Sequence, residues 1–533
     1  MISKLVSKAY TFWKYRPSKA IKSTFQKFPD LNNAPQTESH IKHKKILFCP
    51  FAPHQLNIIR EGIWAHACAL RGAQVKMITY DLFLEAIDFL NPKIKKDLSV
   101  SYKISKKLYN IIKLPYIAMS SYFDKSSDQA YEFDKLQAAD IENLNHKGIM
   151  LGDLVIASSV RYYFCNGPEW DNPEFLNKAR QFARSAVVLT DIFESILLKE
   201  KPDKIVSSHG IYVSWGTLFR MARKMNIPID IYGASYRKNT LRFYHNVPQA
   251  PFPEGEWENY KNVPLNPDQT KLVDKYFKSR ETQKEDSIVL FDDKSALPED
   301  LVKFISKNKA AKRKLFCLFT NISWDSFMYR KESENFETII EWLQENIRVF
   351  KDNPNADLII KAHPAENNHN VPEKYRIKNC MPSTLPENIY FLDENANVKA
   401  FYIYNHIDVG LVYTSTVCLE MAMMNIPVLS SGVGGHYEGK GFTMDPASRR
   451  EYLDMLDGLI NGILTFAPDI DAARKYLYFR FFREAINFDL VELKGWAINK
   501  INFTTVDELR FGKNKNLDTI TNGFLNDSIF IND

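Results

Sequence analysis

The chain has 533 residues, 45% of them hydrophobic and 25% charged, which excludes global disorder and fits two or three domains. Its 70 basic and 64 acidic side chains leave a net charge of +6, too small an excess over this length to argue for nucleic acid. No run approaches the roughly 18 apolar residues that span a bilayer, and no apolar core precedes a small-residue cleavage site near the start.

Residues 1–43 form a basic arm. Met1 to Asp30 carries seven basic residues against one acid, with Phe12 and Trp13 among them. Such an arm can lie on an anionic membrane surface, or remain a solvated or loosely docked extension. KKILFCP at Lys44 reads as a buried parallel strand, HQLNIIREGIWAHACALRGA as a helix closing on Gly72, and QVKMITYD as the next strand. Leu82 to Met150 reads as a helical insertion. Alternation resumes with KIVSSHG, WGTLFRMARKMN and IPIDIYGAS. Five prolines between Asn246 and Lys284 mark an interdomain linker.

A second alternating series follows: DSIVLF, KLFCLFTN, ADLIIKAHP, NIYFLD, IDVGLVYTS and IPVLSSG as strands, with TIIEWLQENIRVF, NVKAFYIYN and TVCLEMAMMN as helices. After Pro468 the chain reads as helix, then a polar irregular tail. The fold expected is α/β: GT-B, two Rossmann-like domains facing a central cleft. The expected divisions are 1–43 for the arm, 44–270 for the acceptor domain, 271–480 for the donor domain and 481–533 for a C-terminal helix and tail. The six cysteines are scattered without a Cys-x-x-Cys pair, which fits buried thiols in a reducing compartment.

Thr414, Ser415 and Thr416 stand where a strand passes into a helix. Free N–H groups and hydroxyls there can bind a phosphate, or the hydroxyls can simply cap the helix. Glu420 lies one turn on, placed to accept from ribose hydroxyls or to sit in solvent. His363 follows a strand at its carboxyl end, where open α/β sheets bind ligands. It can donate to a phosphate, protonate a leaving nucleotide, or be structural. Glu366 either orients it or starts the next helix. Thr320 and Asn321 end another strand; Trp324 can stack or pack, and Asp325 can bind or cap. In the first half, His54, Gln55 and Glu61 lie in or near the first strand–helix loop. His209 follows another strand, and Tyr236, Arg237 and Lys238 a third. P-loop and HExxH patterns are absent, and Asp469-x-Asp471 reads as a cap, so no metal is expected.

TNISWD, KAHPAE and YTSTVCLEMAMMNIPVLSSGVGGHYEGKGFTMDP resemble bacterial capsule polysaccharide biosynthesis proteins, including Kdo-transferase-like enzymes. GDLVIASSVRYYF, SHGIYVSWG and YGASYRKN resemble their upstream segments. The resemblance spans roughly residues 45–480 in blocks. It implies a GT-B glycosyltransferase with a nucleotide-sugar co-substrate (CMP-, UDP- or GDP-linked), no other cofactor and no metal. By that resemblance His363, Ser415 and Thr416 meet the donor phosphate and Glu420 the ribose. Gly439 and Gly441 would shape a loop closing near the donor.

Lys361 stands where Arg is usual, and Cys418 where Gly is. The donor set is thus Thr320, Asn321, Lys361, His363, Thr414, Ser415, Thr416 and Glu420. His209, Tyr236 and Arg237 would meet a glycan or glycolipid acceptor, and His54, Glu61 and His363 are the catalytic candidates. A cytoplasmic protein is expected, at the inner face of the membrane if the arm binds it. Two other readings remain: a CDP-polyol phosphotransferase of teichoic-acid type, and a non-catalytic capsule-assembly scaffold.

Overall fold

The computed structural model describes residues 19–28, 44–51, 55–81, 84–88, 106–124, 126, 129–249, 255–287, 296–325, 335–369, 371–432, 434–494 and 497–532. Most of the basic arm, and the strand expected at Ile288, lie outside these residues.

The first sheet begins with β1 (Lys45–Cys49) and β2 (Gln74–Thr79), joined by α1 (Gln55–Leu70). It continues with β3 (Tyr116–Ala118), β4 (Lys204–Ser208), β5 (Ile229–Ala234) and β6 (Thr240–His245). Spatial order is β3-β2-β1-β4-β5-β6. The first five are parallel and β6 is antiparallel. That is a doubly wound sheet whose strand order reverses between β1 and β4. Its strands are buried apolar runs because helices cover both faces. On one face lie α2 (Gly152–Tyr163), α3 (Pro173–Glu200) and α4 (Thr217–Lys224); α1 lies on the other. The stretch expected as a helical insertion therefore contains a sheet strand: β3 pairs with β2 from Met77↔Tyr116 onward. Pro115 and the short YIA run leave too little periodicity to mark it.

α5 (Pro267–Ser279) and α6 (Glu299–Ala311) lead into the second sheet. Its strands are β7 (Lys314–Phe319), β8 (Ala356–Lys361), β9 (Ile389–Leu392), β10 (Val409–Val412) and β11 (Val428–Ser430). The order is β9-β8-β7-β10-β11, all parallel, so its own first to fifth strands run 3-2-1-4-5, as in the first sheet. α5, α6, α8 (Val417–Met423) and α10 (Ile470–Tyr478) cover one face. α7 (Ile339–Lys351) and α9 (Arg449–Ile460) cover the other. This is a GT-B arrangement of two Rossmann-like domains. The proline-rich linker is partly helical: α5 starts at Pro267 with an Asn266 capping box, and Val273 and Tyr276 are buried in the second core. The boundary expected at 270 falls inside that helix. Asp469 does cap α10, accepting from Ala472 N–H at 2.9 Å.

The C-terminal tail is not irregular. The chain crosses back through a π-helical turn, Phe479–Arg483. β12 (Ile486–Asn487) then pairs antiparallel with β6. A hairpin (Val491–Lys494 with Ala497–Ile501) and α11 (Lys515–Asn526) follow. Phe488 and Phe524 pack edge-on to Trp64 at 5.6 and 5.8 Å. The described part of the arm, a helix at Lys19–Phe25, docks on the same layer through Ile21, Phe25 and Phe28, and its Lys22 and Lys27 face solvent. Phe524→Ala should remove about 3 kcal/mol or more of first-domain stability in chemical denaturation. A change under about 0.5 kcal/mol would mean that the tail is not part of that core.

Candidate functional site

Where a parallel sheet reverses, the loops at its strand carboxyl ends part and leave a crevice. In the second sheet this happens between β7 and β10. Thr320 and Asn321 follow β7; Thr414, Ser415 and Thr416 follow β10; Lys361 ends β8, with His363 two residues beyond. Hydrogen bonds join the three loops. Thr320 N–H donates to the Lys361 carbonyl at 3.1 Å. The Asn321 amide donates to the Thr414 carbonyl. The expected phosphate residues thus share one edge of the second domain.

Several polar atoms on this edge lack partners. Thr320 is 3% exposed, and among the described residues its Oγ1 has no hydrogen bond; neither has the buried Asn321 Oδ1. Each such atom costs about 1–3 kcal/mol unless something fills its place. His363 is half-buried and its Nδ1 accepts from Ala365 N–H at 3.1 Å, which leaves the ring proton on Nε2. Burial pushes its pKa down to about 4, with Lys361 and His369 adding to the effect. The ring is therefore a neutral donor at pH 7. Burial also lowers the Lys361 ammonium to about 8.

The turn after β10 is only partly a free helix start. α8 has seven residues, and no side chain caps it. The Thr416 hydroxyl accepts from Tyr437 at 3.1 Å. Gly435 lies over the same turn: a Cβ there would stand 2.7 Å from Thr414 Oγ1. Gly439 and Gly441 in that loop have positive φ, 70° and 85°. Glu420 is buried at 4% exposure with both oxygens engaged. Arg280 holds Oε1 at 2.7–2.8 Å and Tyr404 OH donates to Oε2 at 2.7 Å. Arg280 also pairs with Asp286, which tethers the region after α5 to α8.

The first-domain candidates separate. His54 lies outside the described residues. Glu61 is 0% exposed, its Oε1 accepting from Tyr232 OH at 2.6 Å, and burial drives its carboxyl well up. Buried in the core, it has no path to an acceptor hydroxyl, so the expectation of Glu61 as a base is corrected. Tyr236 and Arg237 tie the domains together. The Tyr236 hydroxyl meets Tyr437 OH at 3.0 Å and His436 Nε2 at 3.3 Å, and its ring stacks on Phe481 at 4.3 Å. Arg237 Nε donates to the Phe481 carbonyl at 2.7 Å, with the guanidinium 4.1 Å over Phe482. His209 does lie at the carboxyl edge of β4, its ring tilted against Trp215 at 4.8 Å.

A second interdomain contact joins residues that the sequence did not pair. Trp324 packs on Phe164 at 4.7 Å and His369 at 5.0 Å, which settles its core role. Asp325 accepts from Tyr212 OH at 3.3 Å, and Tyr375 OH donates to Glu169 at 2.7 Å. The sequence offered Trp324 and Asp325 as candidates and the GDLVIASSVRYYF block, which supplies Arg161 and Phe164 here, but nothing that paired them.

No family model and no curated protein matches the chain. Among solved structures it is similar to Thermosulfurimonas dismutans KpsC, beta Kdo 2,4 transferase, at 12% identity over 58% of this chain and 87% of that one, with a TM-score of 0.36. UDP-GlcNAc 2-epimerase from Neisseria meningitidis, bound to UDP-GlcNAc, is similar at 11% identity over 81% and 97%, with a TM-score of 0.25. Spinosyn rhamnosyltransferase SpnG is similar at 10% identity over 82% and 96%, with a TM-score of 0.26. Likenesses this distant carry no argument about activity, and the fold rests on the strand order of the two sheets.

Glu366 does not orient the His363 ring; it stands, buried, in the first turn of the short helix Ala365–Asn368 that follows. Its carboxylate accepts from Ile377 N–H at 3.3 Å and so clamps the segment that carries Tyr375 to the first domain. Burial raises its pKa from 4.5 to about 7, with Glu394 adding to the rise. Between those values the native state keeps a proton that the unfolded chain has released. Stability from this group therefore falls as pH rises through the window, with a slope of up to about 1.4 kcal/mol per pH unit. Glu366→Gln keeps an acceptor without the charge. Its stability relative to wild type should rise between pH 5 and pH 8 in urea titrations; a constant difference would contradict the assignment.

Proposed function

We propose that the chain is a glycosyltransferase that moves a sugar from a CMP-, UDP- or GDP-linked donor to a hydroxyl of a glycan or glycolipid, building a capsular surface polysaccharide. The observation that carries this reading is the crevice at the β7–β10 reversal. It gathers the unpartnered Thr320 and Asn321 oxygens, the neutral His363 with its proton on Nε2, and the Ser415 and Thr416 turn. Donors fixed before a phosphate arrives stabilise charge as it develops on the leaving nucleotide. A ring with a pKa near 4 suits hydrogen bonding to that phosphate better than supplying a proton from imidazolium. Glu420 would act on ribose only by sharing oxygens now held by Arg280 and Tyr404; its role here is to fix α8 behind the crevice.

The acceptor enters from the first-domain side, past His209. Among the described side chains of the arm, Lys22 and Lys27 are the basic groups that face solvent and could meet a membrane, since Ile21, Phe25 and Phe28 are already buried. Nucleotide binding tests the reading. Isothermal titration with CMP, UDP and GDP should show one preferred nucleotide, and His363→Ala should weaken its binding or the turnover of its sugar by about 10²-fold. Wild-type behaviour of that variant, or no binding of any nucleotide, would overturn it.

A further inference from the structure

The wall opposite the crevice carries a cation for which nothing so far has a use. Arg161 lies in the last turn of α2, three residues before Phe164, which packs on Trp324 and His369 of the second domain. Its guanidinium lies 4.7 Å over the Tyr212 ring. Its hydrogen-bond partner is Tyr212, and among the described residues no carboxylate closes an ion pair with it. Two carboxylates, Asp325 and Asp88, are near enough to be felt, and each has one oxygen bonded elsewhere. Asp325 accepts from Tyr212 OH, and Asp88 Oδ2 accepts from Ser214 N–H at 2.8 Å and Oγ at 2.5 Å. A guanidinium placed only for packing beside two carboxylates would ordinarily close a bidentate pair with one of them.

The neighbouring groups share its polarity. His209 stands at the β4 edge and His369 on the facing domain. Burial holds both below the usual histidine range, and the Arg161 charge adds to it. The result is one fixed cation between two neutral imidazoles on aromatic walls, where the first domain faces the crevice.

We propose that Arg161 is the first-domain binding residue for an oxyanion of the substrate, a carboxylate or a phosphate, held bidentately against the Tyr212 ring. The proposal deepens the glycosyltransferase reading and rests on it: it adds that one substrate is anionic beyond what the second-domain crevice needs. A phosphate would mean that the donor's own phosphates bridge the cleft. A carboxylate would mean an acidic sugar.

The test titrates pyrophosphate, N-acetylneuraminate and, as a neutral control, N-acetylglucosamine into wild type, Arg161→Gln and Arg161→Lys. We expect one anionic probe to bind wild type and to weaken at least 10-fold in Arg161→Gln, less in Arg161→Lys, with the neutral sugar unaffected. Which probe responds identifies the source. Equal affinities in wild type and Arg161→Gln, or no binding of either anion, would overturn the proposal. Phenylglyoxal labelling of wild type gives a readout without a variant. Peptide mass analysis should show Arg161 labelling slowed at least 10-fold by the binding anion, and an unchanged rate would contradict the assignment. Nucleotide titration run alongside separates the two claims: nucleotides that bind normally while both anions ignore Arg161 defeat this inference alone. An Arg161 effect without nucleotide binding defeats the glycosyltransferase reading alone.

Discussion

The reversal of strand order between β7 and β10 is the constraint on which the rest depends. Two neighbouring parallel strands whose connections leave in opposite directions cannot have their loops packed together at the carboxyl edge. Backbone and side-chain groups there must be satisfied by cross-loop bonds or by a ligand. This chain uses both routes. Asn321 spans the gap to the Thr414 carbonyl and Thr320 N–H reaches the Lys361 carbonyl, while Thr320 Oγ1 and Asn321 Oδ1 have no partner among the described residues. The helix after β10 cannot shift to fill the space, because Glu420 is fixed by Arg280 and Tyr404.

The second domain is positioned against the first by contacts on two sides of the cleft. On one side the chain crosses at Phe479–Arg483, with Tyr236 stacked on Phe481 and bonded to Tyr437, which in turn donates to Thr416. A continuous line of hydroxyls thus runs from a first-domain loop to the turn proposed to hold phosphate. On the other side Trp324 inserts between Phe164 and His369. The Trp324–Phe164 edge-to-face contact is buried and helps to fix the separation between the domains. The ionisable contacts around it, at Glu366 and Glu169, are the tunable part.

The strands were legible where apolar runs of four to six residues stood between turn signals, as in KILFC, ADLIIK and VGLV. The reversal residues were legible too, since Thr320, His363 and Ser415 each follow such a run. β3 was hidden by its length, and the C-terminal return by length and composition: β12 is two residues long, and the hairpin after it mixes its apolar residues with lysine, glutamate and asparagine. Glu61 misled because a glutamate in the first loop–helix segment looks like a cleft residue. Only the tertiary structure shows that its helix face is turned to Tyr232. Tyr236 and Arg237 were seen as a polar strand end, but their partners lie more than 190 residues away by numbering, at His436 and Phe481. No local pattern encodes such pairings. Arg161 lies within GDLVIASSVRYYF, yet nothing in the spacing of that segment separates a cleft arginine from a surface one.

The most direct measurement is diffraction from crystals grown with the nucleotide that binds the protein. The account predicts density for its phosphate within hydrogen-bonding distance of Thr320 Oγ1 and His363 Nε2, at the β7–β10 reversal. A nucleotide bound at the β1–β4 reversal of the first sheet, or outside the cleft, would contradict it.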